Sequence, residues 1–98
     1  MQIIFLPKAR ADLRWFKRYY LEVFPEGRSK AERQYRALMR VLKSNPKIGH
    51  PDDEHASVFE YVIPGIPFTV LYRLGPQVIE ILRIYDQRSE FSNDRRNS

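Results

Sequence analysis

The chain has no cysteine, four glycines, two histidines and one tryptophan in 98 residues. Lack of cysteine excludes disulfides, zinc–thiolate sites, iron–sulfur ligation and thiol nucleophiles together, and suits a reducing compartment. Long apolar runs are missing too. The opening Met1-Gln-Ile-Ile-Phe-Leu-Pro7 is too short for a signal peptide, and no segment approaches the roughly 18 apolar residues of a membrane span. A cytoplasmic protein without membrane association is expected. The chain also lacks a Walker loop, a dinucleotide fingerprint, an HExxH pair and a GxSxG elbow, and His50 and His55 both fall in one polar stretch. No metal and no cofactor is expected, and a chain of this length makes one domain, 1–98, whose core is too small to enclose a large cofactor.

What is present is a foldable, basic sequence. Apolar residues make up 43% and aromatics 13%, enough burial to offset ordering entropy. The formal net charge of +5 is unevenly spread. Residues 1–45 hold eleven Lys/Arg against four Asp/Glu, whereas residues 46–98 hold six against eight. A basic first half can attract an acidic peptide or a phosphate backbone, and can equally be a solvated face.

Ile3 to Leu6 is a short apolar run ended by Pro7, which predicts a first strand over Gln2 to Leu6. Ala9, Leu13, Phe16, Tyr20 and Val23 then recur at spacings of four and three, predicting an amphipathic helix that closes near Phe24-Pro25-Glu26-Gly27. Ser29-Lys-Ala-Glu32 reads as a capping box opening a second helix, with Ala31, Tyr35, Leu38, Val41 and Leu42 as its apolar stripe and Asn45-Pro46 as its stop. Lys47 to Ser57 reads as a surface loop. Three β-rich runs follow, Val58 to Ile63, Phe68 to Leu74 and Gln77 to Tyr85, split by Pro64-Gly-Ile-Pro67 and Gly75-Pro76. The expectation is an α+β domain of order βααβββ, a helical hairpin on a small antiparallel sheet, with a loose tail over 89–98. Phe68, Val70 and Tyr72 share one sheet face.

Chemistry is sparse. Asp12, Glu60, Glu80 and Asp86 are spread over four elements and identify no acid–base pair. Arg73, Arg83 and Arg88 with Tyr72, Tyr85 and Phe91 lie on or just after the last two strands. They suit either a phosphate clamp with aromatic stacking or an aromatic core with strand-edge arginines.

Four segments in this order resemble the RelE/ParE superfamily of bacterial toxin–antitoxin modules. They are Ala9-Arg-Ala-Asp12-Leu13, Leu42-Lys-Ser-Asn-Pro46-Lys-Ile-Gly49, Pro67-Phe68-Thr-Val-Leu-Tyr72-Arg73, and Ile81-Leu-Arg83-Ile-Tyr-Asp-Gln-Arg88. The superfamily divides into RelE-like ribosome-dependent mRNA endonucleases and ParE-like toxins that inhibit DNA gyrase. Where the nuclease branch carries lysines, arginines and a late tyrosine, this sequence has Glu60 and Val62, Thr69, Asp86 and Ser92. Carboxylates at Glu60 and Asp86 would repel a scissile phosphate. The resemblance therefore implies the ParE-like branch, with no catalytic residue. A non-standard nuclease site from Arg73, Arg83, Arg88 and Tyr85 is the alternative. It further implies a toxin–antitoxin hetero-oligomer in which the C-terminal segment of a cognate antitoxin covers the hairpin. Leu13, Phe16, Tyr20, Tyr35 and Leu38 would supply the apolar part of that surface, and Arg10, Arg14, Arg33 and Arg36 its charged rim. Arg83, Arg88 and Phe91 are the candidate contacts to the target, gyrase.

Overall fold

A computed structural model describes residues 1–86. Its elements are β1 (Gln2–Phe5), α1 (Pro7–Arg18), α2 (Arg28–Ser44), β2 (His50–Pro51), β3 (Val58–Val62), β4 (Phe68–Leu74) and β5 (Val78–Asp86). The two helices form a hairpin over one face of a five-stranded sheet ordered β1-β5-β4-β3-β2. The α+β plan and the β3-β4-β5 meander are as the sequence implies, and the sheet is mostly antiparallel.

Three local details differ from expectation. First, β1 joins the sheet parallel to β5, with Ile3 opposite Ile79 and Phe5 opposite Ile81, a pairing over more than 70 residues that no local pattern encodes. Second, the first helix is not α-helical throughout. After Arg18 it widens into a π turn over Tyr19–Val23, closed by the Phe24 N–H donating to the Tyr19 carbonyl at 2.8 Å. A π turn inserts one residue into the helical phase. Third, the capping box does not form. A 3-10 turn over Pro25–Gly27 leads straight into α2, which therefore starts at Arg28, and Ser29 becomes part of the first turn with no side-chain cap. Glu32 instead meets Arg28 one turn earlier, at 3.1 Å. The stretch expected to be all loop also contributes β2, too short for periodicity to show.

Pro7 begins α1 with its φ already helical and no N–H to lose, and Lys17 and Arg18 face the negative end of the helix dipole. In strand β4 Phe68, Val70 and Tyr72 share one face, as expected, and are fully buried, and Thr69 on the other face is fully buried as well. Phe68 is the hub. Its ring lies 4.7 Å from that of Phe16, edge-on, and within 6 Å of the rings of Trp15, Tyr19 and Tyr20. At the far end of β4, Tyr72 stacks on Phe59 at 5.4 Å.

Two glycines are required by geometry. Gly65, with φ of +79°, makes the β3–β4 turn in the left-handed region that side chains avoid. Gly49 is buried where the chain leaving α2 meets the sheet. Its N–H donates to the Tyr72 hydroxyl at 3.0 Å, and that hydroxyl donates to the Pro46 carbonyl at 2.7 Å. A Cβ at Gly49 would lie 2.9 Å from the same hydroxyl and 3.0 Å from the Glu60 carbonyl oxygen. Gly49→Ala is therefore expected to destabilise by about 1–3 kcal/mol through overpacking. Urea unfolding should show a lower midpoint at unchanged slope. An unshifted midpoint would mean that the loop yields freely.

Candidate functional site

The outer surface of the hairpin carries a groove of about 330 Å³ between α1 and α2. Leu13, Phe16, Lys17, Tyr20 and Leu21 line it from the first helix and its π turn, and Arg28, Ala31, Glu32, Tyr35 and Arg36 from the second. The residues of α1 recur every three or four positions because one helix face serves two purposes: Phe16 and Tyr20 bury their bodies against Phe68 and show an edge to the groove. Leu21 reaches the groove through the π turn and is 53% exposed, an apolar group left in water. Burial raises the pKa of the Tyr35 phenol, which stays a neutral hydroxyl at the groove wall.

Lys17, Arg28 and Arg36 outnumber the single carboxylate, Glu32, whose exposed pairing with Arg28 contributes little to stability. An apolar floor under a cationic rim is the chemistry that receives an amphipathic segment with acidic side chains.

The residues singled out from sequence separate into groups. Leu13, Phe16, Tyr20, Tyr35 and Arg36 come together in the groove. Leu38 lies in the core, 3% exposed. Arg14 and Arg33 project into solvent outside the lining, and Arg10 turns back to donate from Nε to the Phe5 carbonyl at 3.1 Å. Lys17, Leu21, Arg28, Ala31 and Glu32 complete the lining. Lys17 and Leu21 lie off the apolar stripe, and no sequence signal marks them except their closeness to it.

Arg83 sits at a β-bulge where the β4–β5 register shifts between Leu71 and Tyr72. Its guanidinium grips Asp12 of α1 with both arms, Nε to Oδ2 at 2.7 Å and Nη2 to Oδ1 at 3.0 Å. Asp12 Oδ2 also accepts the Ile84 N–H at 2.9 Å. The hydrogen bond that Arg83 donates to Asp12 raises the pKa of Arg83 despite partial desolvation. Arg73 is likewise engaged, by Glu80 across the strands at 2.7 Å, and Tyr85 is buried. A phosphate held by Arg73 and Arg83 would have to displace both carboxylates. Arg88 and Phe91 lie outside the described residues.

Among the described residues no group of three or more His, Asp or Glu side chains is placed to hold a metal ion, and no helix is long and apolar enough to cross a membrane.

Such a hairpin laid over a mostly antiparallel sheet defines a RelE/ParE-like toxin fold. The family model for the ParE toxin of the type II toxin–antitoxin system, parDE, matches residues 3–91, and the chain belongs to that family. Among solved structures it is similar to the chromosomal ParDE TA system from P. aeruginosa. The identity is 27% and the TM-score 0.66, over 88% of this chain and 95% of that one. No curated protein matches it.

Proposed function

We propose that this ParE toxin inhibits DNA gyrase in the cytoplasm and arrests growth. A cognate antitoxin holds it inactive in a hetero-oligomer, with its C-terminal segment seated between α1 and α2. The observation that carries the antitoxin reading is the groove: an apolar floor of Leu13, Phe16 and Tyr20 with Leu21 exposed beside it, beneath a rim with a net excess of cations. Membership of the family supports gyrase as the target. The target-facing residues in this reading remain Arg83, Arg88 and Phe91, with Arg83 acting through the strand end that it braces against Asp12.

The test has two arms. Purified toxin should suppress supercoiling by gyrase, and added antitoxin should restore it. Unimpaired supercoiling at saturating toxin would remove gyrase from the reading. Lys17→Glu with Arg36→Glu, both exposed, should weaken antitoxin binding about 10–100-fold, mainly by slowing association, because like charges then face each other across the rim. Gyrase inhibition by that variant should persist. Unchanged antitoxin affinity would place the antitoxin elsewhere on the toxin.

A further inference from the structure

We propose that the outward ridge of α2, formed by Arg33, Arg40 and Lys43, binds the phosphate backbone of duplex DNA. The inference is separate from the groove reading, because none of these three side chains lines the groove. At 3.6 residues per turn, positions 33, 36, 40 and 43 fall on one stripe, opposite the buried Leu38 and Leu42. All four are exposed, and the stripe runs for about 15 Å along the axis.

The charge of this ridge is not cancelled locally. Glu32 is the sole carboxylate in α2, and it is engaged by Arg28. No described carboxylate forms an ion pair with Arg33, Arg40 or Lys43. Arg36 stands at the boundary, in the groove lining and on the stripe.

The identity of the anion follows from what the ridge lacks. An acidic peptide gains its affinity from apolar anchors seated in pockets, and those are in the groove. The stripe offers cations alone, on a convex helix face. That suits a ligand held by charge with regular spacing, and duplex DNA carries one negative charge about every 1.7 Å of its axis. Two of the three cations are guanidiniums, whose planar fork matches phosphate oxygens.

Anisotropy of a labelled mixed-sequence duplex of about 20 base pairs, titrated with toxin at several salt concentrations, tests this. Three phosphate contacts predict a log–log salt slope near −2.7, or affinity falling about 40-fold between about 50 and 200 mM salt. Arg33→Gln/Arg40→Gln/Lys43→Gln should remove most of that slope. Lys8→Gln/Arg14→Gln/Arg18→Gln carries the same change in charge on α1 and should keep it; circular dichroism checks that both variants are folded. An equal loss in the two variants would reduce the effect to net charge and overturn the assignment. So would a flat salt dependence in the unmodified toxin, or equally tight, equally ridge-dependent binding of a polyglutamate peptide.

Discussion

Asp12→Ala should lower the unfolding free energy by about 3–5 kcal/mol, because it strands a part-buried cation and a buried backbone donor together. The Asp12 carboxylate is 9% exposed, holds both arms of Arg83 and accepts the Ile84 N–H. With Arg83 still 21% exposed, solvent recovers part of the cost, which puts the expected value at the lower end of that range. The bond to Ile84 explains why a carboxylate sits there. β1 ends at Phe5, opposite Ile81, so β5 continues past its parallel neighbour, and Asp12 supplies the acceptor for the next stretch of its edge. Asp12→Asn/Arg83→Met should regain most of the loss. The amide oxygen still accepts from Ile84, and methionine fills the space of the arginine stem without a charge to neutralise. Chemical denaturation of the three proteins decides it. A loss below about 1 kcal/mol in the single variant would show the pair to be a surface-like ion pair.

Phe68→Ala is the other large effect, expected at about 3–5 kcal/mol from lost transfer energy and the cavity left behind. The phenyl ring is fully buried at the meeting of α1, its π turn and the start of β4, and four aromatic rings rest against it. Against a total stability of about 5–15 kcal/mol for a domain of this size, the loss leaves little margin. Two of those rings, Phe16 and Tyr20, also line the groove. The variant should therefore bind antitoxin more weakly even where it is still folded. Phe68→Leu retains much of the volume and should recover part of both. Thermal unfolding and antitoxin titration measure the two consequences separately. A folded Phe68→Ala protein with native antitoxin affinity would show that the groove does not depend on the hub beneath it.

The legible part of the molecule is the part written in short-range patterns. The helical spacing of Ala9, Phe16 and Tyr20 and of Ala31, Leu38 and Leu42, seven then four residues apart in each helix, sets the buried faces of the hairpin. The alternation of Phe68, Val70 and Tyr72 set the helix-facing side of β4. Four groove residues, Leu13, Phe16, Tyr20 and Tyr35, lie on the apolar stripes set by helix periodicity; Arg36 lies off them, and the antitoxin-facing role of all five rests on the family resemblance. Leu38 shows the limit of that reasoning. It shares the stripe but is covered, and a stripe does not reveal which of its members a neighbouring helix will hide.

The sequence by itself determined the two helices, four of the five strands and their order, the basic character of the hairpin and the resemblance from which the toxin family followed. Tertiary structure alone decided the parallel pairing of β1 with β5, the clasp between Asp12 and Arg83, and the division of the arginines into a groove rim, an outward ridge and a braced strand end. The reason is range. Helix and strand periods arise from contacts within a few residues, whereas Asp12 and Arg83 are 71 positions apart and meet only when α1 lies down along β5. An arginine in a sequence is a charge without an address; its partner, and so its role, is assigned by packing.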